Sequence, residues 1–244
     1  RFGKPVYPEY NDILHCENTA IRQPLGILNG VPIGIGMDGG LTPCAVFGQI
    51  TPQGQLRVFA ELSSVDMDVM MFARDILKPF IAKNIDVDQI AFVHFDPSGV
   101  AGKENQINSA INMLNDNYVD ESNRAPSLNL PFTVEPAITN NIERRLNAVK
   151  TFLSKLCING QPGLVLSSEC HMLRKGFMGG YSYKKLPNNP GMHSEKPLKN
   201  MASHTMDSLS YLALGFLGEI DTYNPDGYFT DNNLNEYNKS ACGY

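Results

Sequence analysis

The sequence predicts an α/β fold, and two observations carry that expectation. Three apolar or alternating segments follow one another across short turns between residues 31 and 62. An amphipathic segment then leads into a buried, strand-like run ending at Asp96, which gives the order βββαβ. The chain has 244 residues, of which 42% are hydrophobic and 18% charged. That suffices for one large α/β core or two small ones and excludes a disordered chain.

The elements read in order as follows. Residues 31–38 (VPIGIGMD) are apolar with interspersed small residues, GGLTP is a turn, and residues 43–50 (PCAVFGQI) are apolar again. The turn TPQG precedes the alternating residues 55–62 (QLRVFAEL), so three turn-linked strands are expected. Residues 66–83 place Val69, Phe72, Ala73, Ile76, Leu77 and Phe80 at helical spacing behind an acidic first turn. Pro79 should end or kink that helix. Residues 89–96 (QIAFVHFD) form a buried strand.

A weak helix follows at 107–114, a short strand at 132–135, and a strong helix at 141–157. Residues 163–166 (GLVL) read as a strand and 169–175 as the start of a helix. Residues 179–203 are rich in Gly, Pro, Asn, Lys and Ser and read as a loop or hairpin excursion. A helix at 203–220 carries Met206, Leu209, Leu212, Ala213 and Phe216 on one face. The expected organisation is a lead-in at 1–30, a domain at 31–220 and a polar tail at 221–244. A start at Arg1 rather than at methionine suggests a part of something longer.

Several classes are disfavoured. No apolar run reaches the roughly 18–20 residues that span a bilayer, so no membrane role is expected. Five scattered cysteines (Cys16, Cys44, Cys157, Cys170, Cys242) without CxxC spacing fit neither a disulfide framework nor a zinc ribbon. GxSxG, HExxH and GxxxxGK[ST] are all missing, which removes the signatures of serine hydrolases, zincins and Walker-type ATPases. Cys170 and His171 have no companions at metal-ligand spacing and read as structural.

The net charge of −5 counts against nucleic acid, but its distribution does not. Residues 141–205 hold ten basic residues against three acidic ones, a local +7, so the rest of the chain carries −12.

Asp38 ends an apolar strand just before Gly39 and Gly40, and Asp96 ends a buried strand before Pro97. Each alone reads more readily as a turn cap. Asp207 lies within an amphipathic helix, where a favourable partner for the helix dipole is the ordinary reading. Together the three can converge above a sheet edge, where like charges require a cation between them. Oxygen-only ligands suit Mg²⁺ or Mn²⁺, and such a cluster beside a basic surface is the layout for metal-assisted phosphodiester hydrolysis.

Five windows in order, IGIGMDGGLTPCAVFGQI, HFDPSG, PAITNNIERRLNAVKTFL, LVLSSECHMLRKGFMGGYSYKK and KNMASHTMDSLSYLALG, resemble the C-terminal nuclease domain of the large terminase subunit of tailed bacteriophages, from about residue 33 to 215. The resemblance implies an RNase H-like α/β fold whose mixed sheet has antiparallel first strands and parallel later ones, flanked by helices. It implies an endonuclease that hydrolyses double-stranded, concatemeric DNA with two divalent ions, Mg²⁺ or Mn²⁺. Asp38, Asp96 and Asp207 would be the catalytic metal ligands.

Glu61, at the end of the third strand, is a candidate fourth acid or an exposed strand-end charge. His204, one helical turn before Asp207, is a candidate for orienting a water, ligand or phosphate, or else a capping residue. Arg144, Arg145, Lys184 and Lys185 are candidates for DNA-backbone contact against the ordinary reading of a solvated charged face. The implied partners are an N-terminal ATPase domain, a portal and a small terminase subunit, in the host cell cytoplasm. Two other readings stand beside this one. GMDGGLTPCAV also resembles the first phosphate loop of the actin and sugar-kinase ATPases, and the chain could be a docking module for DNA or portal with little catalysis of its own.

Overall fold

The computed structural model describes residues 3–17, 25–40, 42–100, 109–117, 127–186 and 191–218. Its elements run β1 (Lys4–Pro5), α1 (Asp12–His15), β2 (Ile33–Asp38), β3 (Cys44–Ile50), β4 (Leu56–Ser63), α2 (Val69–Phe72), α3 (Lys78–Asn84), β5 (Ile90–Phe95), α4 (Ala110–Leu114), β6 (Glu135–Pro136), α5 (Ile142–Ser154), β7 (Leu164–Leu166), α6 (His171–Lys175), β8 (Ser182–Lys185), β9 (His193–Pro197) and α7 (Met201–Leu217).

The larger sheet has the strand order β6-β5-β2-β3-β4-β7. β2, β3 and β4 pair antiparallel across the turns seen in the sequence, while β5 joins β2, β6 joins β5 and β7 joins β4 in parallel. This is the mixed α/β sheet that the sequence and its resemblance predict. A second, three-stranded antiparallel sheet has the order β1-β8-β9.

Side-chain alternation divides the core into two layers. Ile33, Ile35, Met37, Ala45 and Phe47 pack with Phe72, Leu77 and Ile81 on one face of the large sheet. Val46, Ile50, Leu56 and Val58 pack with Phe152, Leu173, Leu209 and Leu212 on the other. Against the second face, α7 lies flush on β2. A Cβ at Gly36 would stand 2.1 Å from the Ser208 carbonyl oxygen and 2.5 Å from the Leu212 nitrogen, and one at Gly34 would strike Phe92 and Phe216. The small residues of IGIGMD are therefore the floor on which the helix rests. Asn200 caps α7, accepting from the Ser203 N–H while the Ser203 hydroxyl accepts from the Asn200 N–H, a reciprocal capping box.

The structure corrects several expectations. Pro79 does not end its helix, which continues through α3 to Asn84. A wide π-turn at Ala73–Leu77 precedes the proline, and this local widening accommodates the ring and the missing donor. Residues 3–17 and 25–30 are not a detached lead-in. Val6 and Tyr7 are each 2% exposed within the α7-side core. Leu28 is tied by two hydrogen bonds to the buried Gln49 side chain. Of the loop or hairpin expected at 179–203 it is the hairpin that forms, as β8–β9, and the unexpected addition is β1, which extends it. The expected strand at 132–135 reduces to Glu135–Pro136, and the last helix begins earlier, at Met201. Residues 107–108 of the weak helix and the tail at 221–244 lie outside the described residues.

Candidate functional site

Strand parity builds the site. In β2, Ile33, Ile35 and Met37 face the α2–α3 layer, so Gly34, Gly36 and Asp38 face α7. In β5, Val93 and Phe95 face the former layer, so Phe92 and His94 face α7. The Asp96 N–H donates to the Met37 carbonyl at 3.1 Å, which carries the β2–β5 ladder one residue further and sets Asp96 beside Asp38. Gly36 lies under Ser208 and Leu212, and Gly34 under Phe216. α7 therefore runs antiparallel to β2, and its first turns, with His204 and Asp207, cover the strand ends that carry Asp38 and Asp96.

Asp38 is 6% exposed and lies 2.8 Å, through Oδ2, from Nδ1 of His204. Burial pushes the Asp38 carboxyl above its ordinary pKa; His204 works against that rise, and Asp207 and Asp96 add to it. The hydrogen bond to Asp38 in turn raises His204, with burial opposing. Asp96 is half-buried, and its carboxylate accepts from the Ser98 N–H at 2.9 Å, turning the chain after β5.

Asp207 is 2% exposed and closely partnered. Its Oδ1 accepts from Arg145 at 2.9 Å and from the Tyr181 hydroxyl at 3.4 Å, and its Oδ2 accepts from the Lys199 ammonium. Arg145 also donates to the Ser210 hydroxyl at 3.3 Å and sits 4.9 Å over the Tyr211 ring. Burial works against the Arg145 charge, but Asp207 more than restores it and holds the guanidinium above its usual value.

These contacts revise part of the expected residue set. Arg145 is 6% exposed and acts as the counter-ion of Asp207, so it is not free for DNA. The signal was in the sequence, since Arg145 shares a helical stripe with Val149 and Phe152, both buried. Arg144 is half-buried beside it, whereas Lys184 and Lys185 on β8 are exposed. Glu61 is engaged elsewhere. Its two oxygens accept from the Met172 and Leu173 N–H groups at 2.6 and 2.9 Å, which caps α6. Lys199 and Tyr181 were not singled out by the sequence. Both reach Asp207 from irregular backbone beside the hairpin, where no periodicity points to them.

The oxygen-only donors Asp38, Asp96 and Asp207 suit a hard divalent cation. Burial does most to raise the Asp38 carboxyl, Asp207 and Asp96 add to the rise, and a bound cation would oppose it. Among the described residues, no three acidic, His or Cys side chains are already closed as a cation cage, and Asp207 is held by its basic partners instead. Cys16, Cys44, Cys157 and Cys170 are buried and unpaired with one another. No helix among the described residues is long and apolar enough to cross a membrane.

No family model matches the chain, and no curated protein matches it. Solved structures do. The large terminase of a thermophilic bacteriophage, in complex with ATP-gamma-S, aligns with a TM-score of 0.59 at 17% identity over 87% of this chain and 45% of that one. The same terminase in another crystal structure gives a TM-score of 0.58 at 15% identity. The P22 large terminase nuclease domain aligns with a TM-score of 0.53 at 11% identity, over 85% of this chain and 89% of that domain. The chain thus spans about half the length of the thermophilic phage's terminase and nearly all of the P22 nuclease domain, and it shares their fold.

Proposed function

We propose that this chain is the divalent-metal-dependent endonuclease part of a viral DNA-packaging terminase, which hydrolyses phosphodiester bonds of double-stranded, concatemeric DNA. The observation that carries the reading is that Asp38 and Asp96, at adjacent strand ends, lie on the sheet face covered by the first turns of α7, the helix that bears Asp207. The fold shared with the P22 nuclease domain supports it.

Asp38, Asp96 and Asp207 would hold Mg²⁺ or Mn²⁺, and a bound pair of ions supplies water activation and stabilisation of the leaving oxygen. His204 fixes the orientation of the Asp38 carboxylate through its 2.8 Å contact. Arg145 fixes Asp207 from beneath. Lys184 and Lys185 offer sequence-neutral charge to the phosphate backbone from the exposed hairpin. In a larger assembly in the host cytoplasm the chain would work with an ATPase domain, a portal and a small terminase subunit.

The test is cleavage of plasmid DNA by the purified chain with Mn²⁺ or Mg²⁺. Nicking or linearisation is expected from the native chain and is lost in Asp38→Ala, Asp96→Ala and Asp207→Ala. Undiminished cleavage in EDTA, or in all three variants, would overturn the assignment.

A further inference from the structure

Asp207 carries two basic partners of very different kinds. Arg145 is 7% exposed in its side chain, is held a second time by Ser210, and packs over Tyr211. It cannot leave without abandoning a buried charge. The Lys199 side chain is 68% exposed, while the carboxylate it meets is 3% exposed. Its backbone lies in the short link between β9 and α7. There the Leu198 N–H donates to the Ser182 carbonyl and the Asn200 side-chain amide donates to the Gly180 carbonyl. The root of Lys199 is therefore fixed, and only its four-carbon arm is free to swing. One oxygen of Asp207 has a permanent partner, and the other has a removable one.

We propose that the Lys199 ammonium is a tethered counter-cation that occupies Oδ2 of Asp207 and is displaced when a divalent ion binds, so that Lys199 sets the metal affinity of the site. This rests on the metal-site reading above. Oδ1 already accepts from Arg145 and Tyr181, so an ion would meet the ammonium at Oδ2, where two cations beside one oxygen repel each other. An exposed lysine gives up such a contact readily, because its charge is rehydrated as it leaves while the incoming ion takes over the buried carboxylate. The outcome is a site whose third carboxylate stays neutralised and oriented without metal, at the expense of some affinity for it.

The experiment is titration of the full chain with Mn²⁺ alone, without DNA, followed by calorimetry and by the electron paramagnetic resonance signal of free Mn²⁺. Lys199→Met and Lys199→Gln should bind Mn²⁺ roughly two- to fivefold more tightly than the native chain, the range expected from removing a competing pair whose ammonium is exposed to solvent. Lys199→Arg, which keeps the charge, should bind as the native chain does. Equal or weaker binding in both neutral variants overturns the proposal and leaves the metal reading intact. If neither the native chain nor any Lys199 variant binds Mn²⁺, the metal reading itself falls, and this proposal with it.

Discussion

The guanidinium of Arg145 meets the Asp207 carboxylate at 2.9 Å, with both side chains less than one-tenth exposed. A pair this deep is worth little against two apolar residues, but losing one partner strands the other charge at a cost of about 3–5 kcal/mol. Arg145→Met should therefore lower the unfolding free energy by about 3 kcal/mol, the low end because Lys199 still neutralises Asp207. Adding Asp207→Asn should recover part of the loss. Urea denaturation of the four proteins of this cycle measures both effects, and a single-variant loss below about 1 kcal/mol would contradict the buried pairing.

Gly36→Ala tests the seat of α7. The new methyl would meet main-chain atoms of Ser208 and Leu212, which cannot rotate away. Destabilisation of at least about 1–3 kcal/mol is expected, together with loosened contact between α7 and β2. Gly26→Ala, where an added Cβ meets nothing within 4 Å, should be close to neutral in the same thermal melts. Equal behaviour of the two variants would contradict the close approach.

His15 sets a pH dependence distant from the carboxylates. It is 2% exposed; its Nδ1 accepts from the Asn11 N–H at 2.9 Å, and its Nε2 lies 3.3 Å from the Leu153 carbonyl, which only a protonated Nε2 can satisfy. Burial lowers its pKa below 6.5, so the folded state takes up a proton later than the unfolded one. The stability linked to His15 is thus complete above pH 6.5 and declines as pH falls from there toward the lowered value. Denaturation midpoints from about pH 5 to 8 should show this decline in the native chain, with a smaller slope in His15→Asn.

Lys184 and Lys185 can be tested by salt. If they touch phosphates, the double alanine variant should bind duplex DNA more weakly regardless of sequence. Its slope of log affinity against log salt should be shallower by roughly 1.8. Fluorescence anisotropy across a salt series gives that slope. Arg145→Met is the contrast, since a buried counter-ion should leave the slope unchanged.

Much of the sheet was legible because alternation and turn residues are local signals. The run from β2 to β5 appears where the patterns of VPIGIGMD, PCAVFGQI, QLRVFAEL and QIAFVHFD place it. Pro79 marked a local distortion but not the helix end, because the π-turn that receives it is a property of the packed helix and not of the residue. β1 was invisible, since two residues have no period and their partner lies on β8, far along the chain. At the candidate site, Asp38 and Asp96 could be found from their positions at strand ends. The pairing of Arg145 with Asp207 spans two helices and depends on how those helices pack, so spacing could bury Arg145 but could not name its partner. Lys199 reaches Asp207 from the irregular link before α7, where no pattern rule operates.

β1 is only two residues long, yet it covers one side of β8 while Tyr7, just beyond it, packs against Phe177. A chain trimmed to begin at residue 31 would lose that cover and leave one main-chain edge of β8 without its neighbour. An uncovered edge is a template on which a second molecule can add its own strand. The segment that carries β1 therefore shields this edge of the hairpin from a second molecule, and it belongs in any shortened version of the protein.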